Sequence, residues 1–240
     1  MFSLLLLGFL IGMRHALEAD HVAAVATLST RTATVKQAIK LGSIWGIGHT
    51  LTLFLFGSIV LLTDFFIPET LAKWLEFGVG VMLVLLGLDV LRRLIKDRIH
   101  FHTHEHKNSE TNQESRHFHA HSHANESLKP KQNAHEHQHI DALSYRALFI
   151  GVIHGMAGSA ALILLTLETV KSPIQGMIYI VLFGFGTIMG MAILSYIISI
   201  PLRASAKGMT WMHNTLQFLI GSATVILGGV VISQNAGVIF

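Results

Sequence analysis

The chain contains no cysteine. That excludes disulfides, thiolate metal sites and thiol redox chemistry, and leaves the compartment open. Charge is scarce as well, at 13% of 240 residues, while 51% are hydrophobic. Mean hydropathy is +0.55. A soluble domain is excluded, and a polytopic membrane protein is predicted. The net charge of +3 gathers in loops on one side, so it reads as topology and not as nucleic-acid binding. The N-terminal apolar run has no small-residue cleavage site behind a short apolar core. It is therefore expected to be a mature span and not a removed signal peptide.

What is present is a set of long apolar runs. Six spans can be drawn: Phe2 to Leu28, Ala38 to Leu62, Leu71 to Ile95, Tyr145 to Val170, Ile174 to Ile200 (ended by Pro201), and Asn214 to Ser233. Several exceed the roughly 20 residues that cross a bilayer, so tilt, breaks at glycine or extension past the lipid are expected. The first, third and fifth loops carry the basic residues: Arg31, Lys36 and Lys40, then Arg92, Arg93, Lys96, Arg98 and Arg146, then Arg203 and Lys207. The second and fourth carry only Lys73 and Lys171. The positive-inside rule makes the odd loops cytoplasmic and puts both termini outside the inner membrane.

The first span holds Arg14-His15-Ala16-Leu17-Glu18-Ala19-Asp20-His21 near its centre. Arg14, Glu18 and Asp20 each cost roughly 2.5–3.5 kcal/mol at that depth, about 8–10 kcal/mol together. Roughly twenty large apolar residues at about 0.3–0.6 kcal/mol apiece return a comparable amount. The cluster must therefore pair internally, with another helix, or with an ion, and such a cluster is a functional site by default. On one continuous helix Arg14, His15, Glu18 and His21 share a stripe about 120° wide, and Asp20 points roughly 100° away from His21. Imidazoles and carboxylates without a thiol suit a borderline divalent first-row metal. The alternative is an Arg14–Glu18 pair at i,i+4, with the histidines hydrogen-bonding between helices.

The chain also repeats itself. Gly12-Met13-Arg14-His15 aligns with Gly151-Val152-Ile153-His154, and Thr27-Leu28-Ser29-Thr30 with Thr166-Leu167-Glu168-Thr169. Trp45-Gly46-Ile47-Gly48 aligns with Phe183-Gly184-Phe185-Gly186, and Leu75-Glu76-Phe77 through Gly87 with Leu216-Gln217-Phe218 through Gly228. The expected fold is all-α, with six transmembrane helices as two inverted three-helix repeats: residues 1–95, and residues 144–240 after an insert at 96–143. Repeats of three spans lie upside down relative to each other, and such folds place their substrate near the midplane. His154 is then the symmetry mate of His15. His49 is matched by Thr187 and belongs to one half only. Asp89 is expected to pair with Arg92 or Arg93. Glu76 lies shallow in the third span and receives no assignment. The span glycines permit close helix approach, and Gly12 and Gly155 are candidate helix breaks that expose carbonyls to an ion.

The insert is a different kind of sequence. Its histidines alternate: His100, His102, His104 and His106, then His117, His119, His121 and His123, then His135, His137 and His139. Polar residues between them leave no core, so disorder without metal is expected. Facing the cytoplasm, such a loop offers several weak, exchanging metal sites that buffer or hand over metal without selecting it.

The motif His15, four residues, Asp20-His21, with Arg14 before it and Val22-Ala23-Ala24-Val25 after it, resembles the signature of the nickel/cobalt transporter family. Gly48-His49-Thr50 resembles that family's second-helix motif. His154-Gly155-Met156-Ala157-Gly158-Ser159-Ala160 resembles the related urease-accessory nickel permeases. The resemblance covers the six spans, while the insert is more like nickel/cobalt efflux members. It implies His15, Asp20 and His21 as metal-contacting groups and Ni(II) or Co(II) as the transported substrate. The chain departs from the best-known importers in having six spans and not eight, and in replacing their acidic fifth-helix motif with the neutral segment at 154–159. Those departures leave transport direction open.

The reading expected from sequence is a nickel/cobalt transporter, with uptake first and efflux as the rival. A dehydrated ion binds between His15, Asp20 and His21, with His49 and His154 closing the site and Glu18 and Arg14 setting its charge. Carboxylate and neutral imidazole ligands make binding pH-dependent, so falling pH should release metal. The expected partners are the divalent ion, the bilayer, and a cytoplasmic nickel chaperone or urease accessory protein. Two other classes stay open. One is a non-transporting metal store that delivers nickel to an enzyme such as urease. The other is a metal-assisted hydrolase, which no nucleophile motif supports.

Overall fold

The computed structural model describes residues 2–63, 68–96, 100–107, 114–121, 138–169, 172–208 and 210–237. Seven helices are present among them: α1 (Phe2–His15), α2 (Ala19–Ser29), α3 (Val35–Thr63), α4 (Glu69–Lys96), α5 (Gln138–Thr169), α6 (Pro173–Gly208) and α7 (Thr210–Ala236). Four of them, α3, α4, α6 and α7, are long and apolar enough to cross a membrane. The apolar stretches described in α1 and α5 are shorter, Leu6–His15 and Ala142–Ala157. Six spans are expected from the sequence, and the described residues supply these four.

The first expected span is broken. Its apolar run is continuous in sequence, yet the helix stops at His15 and restarts at Ala19. The fifth expected span differs the other way, because α6 runs through Pro201 to Gly208. Proline removes the bond to the carbonyl four residues earlier, and its ring crowds that carbonyl. Ile197 and Pro201 are both on the exposed side of α6, where the loss of that bond leaves the packed face intact. Gly12 and Gly155 do not break their helices. A methyl group at Gly12 would collide with the Phe183 carbonyl, and one at Gly155 would lie 3.0 Å from Thr52 Cβ. Both positions are close-packing contacts.

The helices pack as a bundle. α4 lies antiparallel against α7 with backbones in near contact: a Cβ at Gly80 would sit 3.0 Å from the Gly228 carbonyl, and one at Gly87 2.6 Å from that of Gly221. α3 packs on α5 and α6, and α1 packs on α6. The largest core cluster joins Ala16, Val25, Trp45, Leu83, Ala147 and Met191. The long apolar side chains of α3, α4, α6 and α7, such as Leu55, Leu85, Ile197 and Ile226, point outward. That inversion of the soluble pattern is what lipid as the outer solvent produces.

The insert contains two strands, β1 (His100–Lys107) and β2 (Glu114–His121), paired antiparallel with His100 opposite His121, His102 opposite His119 and His104 opposite His117. No ordered structure was expected there. The alternation that marks these histidines has the two-residue period of a strand, which a purely compositional reading overlooks. His123, His135 and His137 lie outside the described residues, as do the side chains of His100, His102, His104, His106, His117, His119, His121 and His139.

Candidate metal centre

The break in the first span builds the site. Leu17 N–H donates to the Arg14 carbonyl at 2.9 Å and Glu18 N–H to the His15 carbonyl at 3.0 Å, which closes α1 in a tight turn. Glu18 is extended (φ −64°, ψ 149°) and caps the start of α2, where Val22 N–H returns to its carbonyl at 2.9 Å. Asp20 Oδ1 accepts the backbone N–H of His21 at 2.8 Å. Helix starts leave N–H groups unsatisfied and favour carboxylates, and helix ends favour cations. Arg14 and His15 end α1, and Glu18 and Asp20 begin α2. The polar residues that burden an unbroken span are the ones two helix ends want.

The same break overturns the single-stripe geometry. With the helix interrupted, Glu18 turns to His15, Nδ1 to Oε1 at 3.0 Å, and not to Arg14. The His15 and His21 rings meet edge to face, centroids 4.4 Å apart and planes at 65°.

Two trios result. His15, His21 and His49 form one, and Asp20, His21 and His154 the other, each with ligand atoms within 4.8 Å of one another. His21 belongs to both. His15 Nε2 and His49 Nε2 are 3.3 Å apart. Donors around one ion at about 2.0–2.1 Å lie about 3–4 Å from each other, so each trio needs only a modest contraction to close on an ion. Asp20 is central: Oδ1 faces His21 Nδ1 at 2.9 Å and Oδ2 faces His154 Nε2 at 3.0 Å. With Nδ1–H given to the carboxylate, Nε2 of His21 is left as a bare lone pair, the usual way an acidic neighbour orients a ligating histidine. His21 Nε2, His49 Nδ1 and His154 Nδ1 are buried with no partner among the described residues. Unpartnered buried nitrogens are costly, and three in one cluster favour a cation that satisfies them.

The six candidate ligands named within the spans come together here: His15, Glu18, Asp20, His21, His49 and His154. They differ in burial. His21, His49 and His154 are at most 2% exposed, while Glu18 is 57% exposed. Trp45 and Phe183 wall the site and were missed in the sequence. Trp45 packs on His21 and His154 at 5.4 and 5.5 Å, and Phe183 on His15 at 5.3 Å. The signal was available, since the two aromatics open the matched Trp-Gly-Ile-Gly and Phe-Gly-Phe-Gly segments. A cavity of about 800 Å³ leads away from the cluster, lined by Arg14, Glu18, Asp20 and His154 and also by Glu76, Val231, Gln234 and Asn235. The last four lie near the start of α4 and the end of α7, so the cavity reaches toward that end of the bundle. Glu76, unassigned from sequence, is thereby on the approach to the site.

Residues 1–234 match the NicO family, described as a high-affinity nickel-transport protein. The chain belongs to the NicO family. It is 36% identical over 234 residues to the urease accessory protein UreH of Bacillus sp. (strain TB-90), covering 94% of this chain and 89% of that protein. It is also similar to the chloroplast protein FOR GROWTH AND FERTILITY 1 of Arabidopsis thaliana, at 39% identity over 82 residues, 33% of this chain and 22% of the plant protein. No solved structure matches the chain. The family match includes the broken first span and both trios, and the candidate ligands lie on its membrane-type helices and the break between α1 and α2.

Proposed function

We propose that this NicO-family chain carries nickel, and cobalt as a close analogue, across the inner membrane by alternating access, with uptake as the working direction. The observation that carries this is the pair of His/Asp trios sharing His21 at the inner end of an 800 Å³ cavity in an apolar bundle. Imidazole and carboxylate donors suit late divalent ions, and a discontinuous helix at the site is how membrane carriers bring polar groups to the midplane. A family described by nickel transport and a relative described as a urease accessory protein point the same way.

The architecture we propose is six spans in two inverted halves, residues 1–95 and 144–240, with the histidine-rich segment 96–143 cytoplasmic and both termini outside. Close contacts support it because they survive exchange of the halves. Gly12 meets the Phe183 carbonyl, and its mate Gly151 meets the Trp45 carbonyl. Gly48 meets the Leu148 carbonyl, and its mate Gly186 meets that of Phe9. The Gly80–Gly228 contact exchanges with Gly221–Gly87. The wall aromatics behave alike, Trp45 packing on His154 and Phe183 on His15. The site itself breaks the symmetry, since His49 is matched by Thr187, whose hydroxyl donates to the Gly12 and Phe183 carbonyls.

The second reading is efflux, favoured by the alternating histidines of the insert, which would gather cytoplasmic metal. Flux of radioactive nickel into proteoliposomes, with and without residues 100–139, tests both the site and the insert. Saturable flux that survives the deletion is expected. Metal retained only by the intact insert, with no flux, would make the protein a metal store that serves a nickel chaperone or enzyme.

A further inference from the structure

Alternating access, the reading on which this inference rests, requires one end of the site to be shut while the other is open. The cavity reaches the end where α4 begins. Asp89 lies about 20 Å farther along α4 than Glu76, at 1.5 Å per residue, toward the opposite end. There a single carboxylate oxygen of α4 ties that helix to the turn that ends α2. Arg31, in the turn after α2, donates to Asp89 Oδ2, and Arg93 Nε donates to the same oxygen at 3.2 Å. Arg93 Nη2 also donates to Thr30 Oγ1 at 3.0 Å. Thr30 caps the end of α2, and its hydroxyl donates to the Thr27 carbonyl at 2.7 Å. The cluster therefore holds the last turn of α2 against α4.

α2 is 11 residues long, a lever of about 16 Å. Its first turn carries Asp20 and His21, and its last turn is in the ionic cluster. In the register that pairs Gly87 with Gly228, Asp89 and Arg93 fall on Val230 and Gln234. Gln234 lines the cavity. The cavity reaches the end whose pseudo-symmetric position is neutral, and the ionic cluster sits at the other end. Partly exposed ion pairs add little to folding. A carboxylate shared by two arginines at a helix junction instead supplies a contact that can break and re-form as a unit.

We propose that Asp89 is a positioning residue that clamps α2 to α4 through Arg31 and Arg93. The clamp holds the Lys96 end of the bundle shut, and its release lets α2 carry Asp20 and His21 toward that side.

The natural absence of cysteine gives a clean test. Single cysteines are introduced as S29C, in the buried last turn of α2, or Q234C, on the cavity wall, each with and without D89N in the full chain. Labelling by a small maleimide in membrane vesicles is timed, with and without nickel chloride. D89N should raise the rate at S29C and lower it at Q234C, each by about tenfold, the size of an ordinary conformational coupling. R93Q should act in the same direction, and D89E should restore the parental rates. Rates unchanged by D89N and by R93Q would overturn the clamp, and R93Q alone decides should D89N fail to insert. Nickel should slow labelling of Q234C in the parent chain. Failure there would count against the transport-site reading, while the D89N comparison still judges the clamp.

Discussion

Asp20→Asn is the sharpest test of the site, because it changes charge and hydrogen bonding while keeping volume. Asp20 holds two rings at once, His21 Nδ1 at 2.9 Å and His154 Nε2 at 3.0 Å. An asparagine keeps one oxygen and presents an NH₂ group to the other ring. One charge-assisted bond is lost, worth about 1.5–3 kcal/mol. The lone pair of His21 Nε2 is no longer fixed by a carboxylate behind the ring. Losses of that kind lower metal affinity about 10- to 100-fold, or about 1.4–2.7 kcal/mol. The two routes agree. The assay is initial uptake of radioactive nickel against concentration, normalised to inserted protein. Asp20→Asn should reduce transport efficiency by about 10- to 100-fold. Wild-type half-saturation and maximal rate at equal insertion would refute the assignment of Asp20 as the group that orients the ligands.

Other outcomes follow from the same geometry. Glu18→Gln should cost far less than Asp20→Asn in the uptake assay, since Glu18 is 57% exposed and holds only the Nδ1 edge of His15. His15→Ala should abolish uptake while the protein still inserts, as immunoblots of membrane fractions would register. Gly186→Ala places a methyl against the Phe9 carbonyl and should lower the thermal midpoint in detergent through about 1–3 kcal/mol of overpacking. Gly78→Ala has nothing within 4 Å and should be neutral or stabilising by about 0.5–1 kcal/mol.

Much of the site was legible without coordinates. Six candidate ligands were named within the apolar spans because polar groups there are expensive and must have a purpose, and the structure brings those six together; the side chains of the insert histidines lie outside the described residues. Asp89 was expected to pair with Arg92 or Arg93, and it pairs with Arg93 at 3.2 Å. Its second partner, Arg31, is far away in sequence, so no local rule could propose it. The histidine segment was read by composition as lacking structure, while its two-residue period fits the β1–β2 ladder.

Composition and order alone determined that this chain is of the multi-pass membrane type, which polar residues fall inside its apolar runs, and which donor types they offer. Those properties are sums over residues and periods along one chain, and neither requires knowing what packs where. Tertiary structure decided the rest. A helix through residues 2–28 and a helix broken at 16–18 have the same hydropathy. They differ in whether Glu18 and Asp20 cap a second helix start beside His49 and His154. Only the neighbouring helices supply those partners, and with them the aromatic walls of Trp45 and Phe183, the cavity past Glu76 and the tie between Arg31 and Asp89.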